Sequence, residues 1–271
     1  MALSRGAGGE GRTCHFGQVE ALGEESPADC LPQRKAAQPI RAVLLDKDGT
    51  LFDFQATWGA WTRGLIEAES EGDPLVAARL AEALGYDMEA ERFLPSSVVI
   101  ASTTETVAGV VLPLLPRPAT REELMARLDA RSRGAPQVEA APLREVLGRL
   151  RGMGLKVGVA TNDSEEPARV HLRGVMDLLD FVAGFDSGHG AKPGPGQCLA
   201  FAAAVGVEPA ACVMVGDSLH DLAAARAAGM VGVGVLTGPA GRDTLGGAAA
   251  AVLGSIAELP AWIEGREAEA P

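Results

Sequence analysis

The 271-residue chain has no run of about 18 apolar residues, so a membrane-spanning helix is not expected. Its first residues, Met1-Ala-Leu-Ser-Arg5, pass at once to Gly and Glu, without the apolar central stretch of a secretory signal. Basic residues are scarce: 24 Lys and Arg against 36 Asp and Glu give a formal net charge of -12 and a pI near 4.8. A nucleic-acid surface is therefore not expected, because binding a phosphate backbone depends on clustered Lys and Arg. A small anionic ligand stays compatible with this balance, since a local positive site can operate inside an acidic protein. The four cysteines, Cys14, Cys30, Cys198 and Cys212, form no CxxC pair, which points to reduced thiols and a cytoplasmic setting. There is no internal repeat and no heptad array. What the chain does have is 47% hydrophobic residues, enough for one large α/β core, or one core plus a small accessory domain.

Residues 1–38 are rich in Gly, Glu, Gln and Pro without sustained periodicity, and read as a flexible extension. Cys14-His15 within it lacks further ligands at metal-site spacing. Order begins at Arg41-Ala-Val-Leu-Leu-Asp46, a branched apolar run closed by acid, Gly and Thr, as expected of a buried parallel strand. Similar runs recur at 156–160, 212–215 and 231–236, with a weaker one at 180–183 and a last one at 249–253. Helical stretches are expected at 143–153, 167–179, 196–205 and 219–228. This alternation predicts a doubly wound parallel sheet of Rossmann-like α/β class, with its site beyond the carboxyl ends of the strands. Between residues 55 and 141 the alternation stops and helical spacing takes over, which predicts an inserted α-helical cap. The core then comprises 39–54 and 142–271. Ser102 with Glu105, and Ser255 with Glu258, stand at capping-box spacing, the first opening a helix that should end near Pro113.

Four motifs carry chemistry, and each sits at a strand end. Asp46-Lys-Asp48-Gly49-Thr closes the first strand; acids two apart on extended chain point to one side, which suits a nucleophile and a proton donor. Gly49 permits a turn that a side chain would crowd. Thr161, followed by Asn162 and Asp163, ends the second run. Lys192-Pro precedes a helix, and Gly216-Asp217-Ser-Leu-His-Asp221 closes a later strand with two acids four apart. Strand ends in soluble proteins often finish in Asp, Thr or Lys for solvation, so the weight lies in their joint occurrence in this order.

These motifs resemble the haloacid-dehalogenase-like superfamily and, within it, the phosphoglycolate-phosphatase-like hydrolases, over residues 41–265. The resemblance implies that Asp46 is a nucleophile carrying the phosphoryl group and Asp48 the general acid and base. It implies that Thr161 and Lys192, with Gly49 and Asn162, hold the phosphoryl group. It also implies that Asp46, Asp48, Asp217 and Asp221 support Mg²⁺, Asp48 through its main-chain carbonyl. A carboxylate attacking an anionic phosphate meets repulsion, so a cation bridging the two and a nearby lysine agree with those roles on physical grounds. The expected activity is hydrolysis of a small phosphorylated metabolite. A sugar phosphomutase and a catalytically silent phosphate-binding protein are the alternatives, and Asp48 disfavours carbon–halogen cleavage. Phe52-Asp53-Phe54 departs from the Asp-Ser common after this motif in phosphoglycolate phosphatases. Nothing in the sequence sets an oligomeric state.

Several residues have plainer readings. Asp221 has the plainer alternative of capping or stabilising the helix after Asp217. Asp186, Ser187 and His189 divide between a supporting shell and ordinary loop. Trp58 and Trp61 share a helix face and are read chiefly as cap core, and Arg63 as a solvated arginine rather than a carboxylate ligand. Gly232-x-Gly234 lies inside an apolar run without a third glycine at dinucleotide-loop spacing, so a nucleotide cofactor is not expected.

Overall fold

The computed structural model describes residues 38–94, 96–100 and 102–268, so all but the last residue of the expected extension lies outside it, Cys14, His15 and Cys30 included. In chain order, β1 (Ala42–Leu45) leads into helices α1 (Phe54–Glu69) and α2 (Pro74–Leu84). A short hairpin of β2 (Tyr86–Asp87) and β3 (Arg92–Phe93) follows, then α3 (Thr104–Val111) and α4 (Arg121–Arg133). The chain returns with α5 (Leu143–Gly152), β4 (Lys156–Ala160), α6 (Glu165–His171), β5 (Phe181–Ala183), α7 (Gly196–Val205) and β6 (Cys212–Gly216). It ends with α8 (Leu219–Ala228), β7 (Val231–Val235), α9 (Arg242–Gly246), β8 (Ala251–Leu253) and α10 (Leu259–Ala268). Among the described residues no helix is long and apolar enough to cross a membrane.

The six long-range strands form one parallel sheet in the order β5-β4-β1-β6-β7-β8. The chain builds outward from β1 through β4 to β5, then crosses to β6 on the other side. The crevice beyond the carboxyl ends of β1, β4 and β6 is therefore the switch point where such sheets place ligands. Period-two alternation decides which face each residue serves. Val43, Leu45, Val157, Val159, Val213 and Val215 pack with Leu147 and Leu150 of α5 and Ile263 of α10. Ala42, Leu44, Ala160, Cys212 and Met214 face Phe201 of α7 and Ala224 and Ala225 of α8. Gly158 belongs to the second face, and a β-carbon there would lie 2.7 Å from the Phe201 ring, so the close seat of α7 requires it.

The insertion has its own apolar cluster, running from Phe54 and Trp58 through Leu80, Leu84 and Val107 to Leu128. Phe54, which the sequence reading left in the core segment, packs here. The insertion is not wholly helical, since Tyr86–Asp87 and Arg92–Phe93 pair antiparallel, and Tyr86 and Phe93 stack edge to face at 5.2 Å. Three local expectations shift. The helix expected over 167–179 starts at Glu165, because Pro167 is tolerated in a first turn, and gives way to 3-10 turns at Leu172–Gly174 and Met176–Leu178. The cap of α3 is Thr103, whose hydroxyl accepts from Thr106 N, so Ser102 does not cap; the helix ends at Val111 and runs directly into the 3-10 turn Leu112–Leu114 that carries Pro113, near the expected end. Ser255 caps a 3-10 turn through Ala257 N rather than forming a reciprocal box with Glu258.

Candidate active site

Each strand that flanks the switch point hands over one acidic or hydroxyl residue. Asp46 follows β1, where its N–H donates to Val215 O at 2.8 Å. Thr161 follows β4, with its N–H on Ala183 O at 3.0 Å, and Asp217 follows β6. Lys192 reaches in from the loop before α7. Its ammonium donates to Asp46 Oδ1 at 2.5 Å, to Asp221 Oδ1 at 2.6 Å and to the Ala160 carbonyl at 3.0 Å, which uses all three of its N–H groups. Asn162 fixes the Lys192 backbone from both sides: its Nδ2 donates to Lys192 O and its Oδ1 accepts from Lys192 N, each at 2.9 Å.

Asp217 sits in a cradle that only glycine leaves open. A β-carbon on Gly49, which has φ +81°, would lie 2.4 Å from Asp217 Oδ2, and one on Gly238 would lie 1.7 Å from the same atom. Thr237 holds the second wall in place by donating to the Gly49 carbonyl at 2.6 Å. Asp221 takes the plainer of its two sequence readings, as a helix cap, and adds a contact with Lys192. Its Oδ2 accepts from the N–H and hydroxyl of Ser218 in a capping box for α8, while its Oδ1 takes Lys192.

The oxygens of Asp46, Asp217 and Asp221 lie within 4.8 Å of one another, and all three side chains are buried. Burial pushes the Asp46 carboxyl up to about 7 despite the pull of Lys192, and the neighbouring Asp221 and Asp48 add to the rise. Asp217 is raised well above the usual carboxylate range, first by burial and then by Asp46 and Asp221. For Lys192, burial alone would lower the ammonium, but Asp221 and Asp46 outweigh it and hold it above its ordinary value. Three carboxylates face one ammonium, a formal excess of two negative charges. An all-oxygen donor set with that deficit fits a hard divalent cation such as Mg²⁺.

The carboxylate of Asp48 stands outside this group, bonded instead to a residue the sequence reading passed over. Lys47, fully buried, donates to Asp48 Oδ1 at 2.7 Å, lies 3.5 Å from Asp163 Oδ2, and stands over the Trp58 ring at 5.5 Å and the Phe52 ring at 6.0 Å. His171 completes its surroundings: Nε2 is 2.7 Å from the Ser132 carbonyl, which can only accept, so Nδ1 is the acceptor for Lys47 at 3.2 Å. Burial, then Lys47, pushes the imidazole down to about 4, which keeps it neutral. Burial raises Asp163 to about 6 against the pull of Lys47. Because Ser132 lies in α4, this network ties the insertion to the loop after β1, and Ser164 Oγ to Asp129 Oδ1 at 2.9 Å ties it to the loop after β4.

A cavity opens above these groups. Its floor is Asp46, Asp48, Thr161, Asn162, Asp163, Lys192, Asp217, Ser218, His220 and Asp221; its other wall, from the insertion, is Phe54, Trp58, Trp61, Val99, Ile100, Ser102, Thr103, Thr104 and Val107. Trp58 and Trp61, edge to face at 5.0 Å, thus serve both cap core and cavity wall. Arg63 is outside the lining and pairs with Glu67 and Glu91. Asp186, Ser187 and His189 are also outside it: Asp186 accepts from Glu165 N, Ser187 bonds Glu165 and Gly184, and His189 lies against Phe181. Gly232 and Gly234 are interior to β7 and pack on Leu222 and Leu245.

A phosphoglycolate phosphatase of Rhodospirillum rubrum is 37% identical over 120 residues, 44% of this chain and 50% of that protein, so the chain spans about half the length of this relative. One from Neisseria meningitidis is 29% identical over 220 residues, 75% of this chain and 83% of its own. The fold is shared with CbbY of Rhodobacter sphaeroides, solved in complex with phosphate, at a TM-score of 0.61 and 20% identity, covering 81% of this chain and 96% of that one. Residues 40–229, which span every strand from β1 to β6 and the whole carboxylate–lysine cluster, match the haloacid dehalogenase-like hydrolases, and the chain belongs to that family, on its phosphoglycolate-phosphatase-like side.

Proposed function

We propose that the protein is a Mg²⁺-dependent phosphatase that hydrolyses a small phosphate monoester through an aspartyl-phosphate on Asp46. The observation that carries this is the separation of two carboxylates two residues apart. Asp46 is held by Lys192 beside Asp217 and Asp221, while Asp48 is held apart from them by Lys47. In this reading one attacks and the other moves a proton. Asp46, Asp217 and Asp221, with the main-chain carbonyl of Asp48, would hold the Mg²⁺. When bound, the ion supplies positive charge that lets an anionic carboxylate meet an anionic phosphate.

Asp46 Oδ attacks phosphorus, the bond from phosphorus to the ester oxygen breaks, and Asp48 gives its proton to the departing alcohol. Water then attacks phosphorus, its proton passes to Asp48, and the bond to Asp46 breaks to release inorganic phosphate. Lys192 orients Asp46 for attack and pulls its carboxyl toward the ionised form against the burial that raises it, and Asn162 keeps Lys192 in place. Thr161, buried on the cavity floor with its hydroxyl accepting from Asp163 N at 3.1 Å, has its O–H available for a phosphoryl oxygen. The insertion closes the cavity from above and excludes bulk water from the acyl phosphate. The test is release of inorganic phosphate from a panel of phosphate esters with Mg²⁺. No release from any ester, with p-nitrophenyl phosphate included, would overturn the reading.

A further inference from the structure

The wall that the insertion presents to the cavity carries no charge. Six of its nine residues are apolar, three of them aromatic, and the other three are the consecutive hydroxyl residues Ser102, Thr103 and Thr104. Among the described residues, the arginines of the insertion that form ion pairs do so elsewhere: Arg63 with Glu67 and Glu91, Arg117 with Glu71, Arg121 with Glu105, Arg127 with Glu69 and Arg133 with Glu166. The basic side chains that do line the cavity, Lys192 and His220, come from the core floor. Lys192 is shared between Asp46 and Asp221, and His220 stands at the start of α8 between Ser218 and Asp221. A second anionic group on a substrate would therefore leave the phosphoryl site and meet an apolar wall, with a floor crowded by carboxylates beneath it. Burying an unpaired charge in such a place is strongly unfavourable.

We propose that the substrate is a phosphate monoester of an uncharged alcohol that presents a ring-sized apolar face to Trp61, Phe54 and Val107, and that a carboxylate-bearing ester such as 2-phosphoglycolate is a poor one. This rests on the phosphatase reading above and sharpens it. The aromatic pair Trp58 and Trp61 supplies broad, rigid area for a ring, and the hydroxyl trio gives its polar edge hydrogen-bond partners that need no charge.

Three esters with comparably poor leaving groups separate charge and size from leaving-group chemistry: benzyl phosphate, ethyl phosphate and 2-phosphoglycolate. With purified full-length protein and Mg²⁺, kcat/KM for benzyl phosphate should exceed that for ethyl phosphate by about tenfold or more, and that for 2-phosphoglycolate by about a hundredfold or more. A 2-phosphoglycolate value equal to or above that of benzyl phosphate, with phosphate released from both, overturns the inference and leaves the phosphatase reading standing. So does parity between benzyl and ethyl phosphate. No phosphate release from any of the three or from p-nitrophenyl phosphate overturns the phosphatase reading, and the inference with it.

Discussion

Replacing Lys47 by Met tests whether the buried lysine positions Asp48 or only fills space. The thioether roughly preserves the volume of the side chain under Phe52 and Trp58 but removes the ammonium that Asp48 and Asp163 share at 2.7 and 3.5 Å. Two carboxylates, one of them almost wholly buried, then lack their cation. Removing one partner from a buried pair costs about 3–5 kcal/mol, which for a domain of this size is a melting-temperature drop of roughly 6–20 °C. Asp163, already raised to about 6, should rise further. A carboxyl whose pKa is raised by folding adds stability below its unfolded value, and that stability is lost as pH rises through the folded value. The deficit of the variant should therefore be small near pH 4 and largest above about pH 6.

The catalytic consequence is separable. With Asp48 unclamped, turnover of an alkyl phosphate should fall by about ten- to a hundredfold, less than the roughly hundred- to ten-thousand-fold worth of a proton donor. Turnover of p-nitrophenyl phosphate, whose leaving group departs unprotonated, should change little. Adding Asp163→Asn removes the stranded charge and should recover much of the stability. The alkyl-ester defect should persist in the double variant, measured by stopped phosphate release and differential scanning fluorimetry. If alkyl-ester turnover returns together with the melting temperature, Lys47 serves folding alone and the positioning argument is wrong.

Other consequences are simpler to check. Mg²⁺ competes with protons for Asp46, which stands near 7 without the ion, so the melting-temperature gain from adding Mg²⁺ should grow as pH rises from 6 to 8; a gain independent of pH would exclude Asp46 from the ligand set. Asp217→Ala should raise the Mg²⁺ concentration needed for half-maximal activity by about tenfold or more, and unchanged Mg²⁺ dependence would remove Asp217 from the site. Gly238→Ala places a β-carbon 1.7 Å from Asp217 Oδ2 and should likewise raise the Mg²⁺ concentration needed for half-maximal activity; a variant as active as wild type at low Mg²⁺ would show that the cradle yields.

The strand-end residues were legible in the sequence because each is the last residue of an apolar run, and a parallel sheet with this alternation delivers such residues to one edge. Asp46, Thr161 and Asp217 come together for that reason, while Lys192 reaches them from the loop before α7 and Asp221 from the first turn of α8. Lys47 was not legible. Strict alternation would turn it away from both acids, but the chain bends after β1, where the N–H groups of Leu51 and Phe52 both donate to Lys47 O. That bend swings the ammonium back to Asp48. His171 and Ser132 are 39 residues apart, and only the seating of α4 against α6 makes them neighbours. Gly238 carried no local signal, since its role depends on a side chain from another strand. Alternation at Thr161-Asn-Asp163 could have flagged Asp163, which lies on the same side as Thr161. The shift of the α3 cap from Ser102 to Thr103 shows the same limit: two adjacent hydroxyls compete for the cap, and spacing alone does not choose between them.

The central claim is a covalent phosphoryl group on Asp46. Rapid acid quench of the protein during turnover of a labelled ester, followed by peptide mapping, should find a phosphorylated peptide containing Asp46 in the wild type, absent from Asp46→Asn and accumulating in Asp48→Asn with p-nitrophenyl phosphate. Phosphate release at wild-type rates with no such peptide, in either the wild type or Asp48→Asn, would mean direct attack by water and would contradict the account.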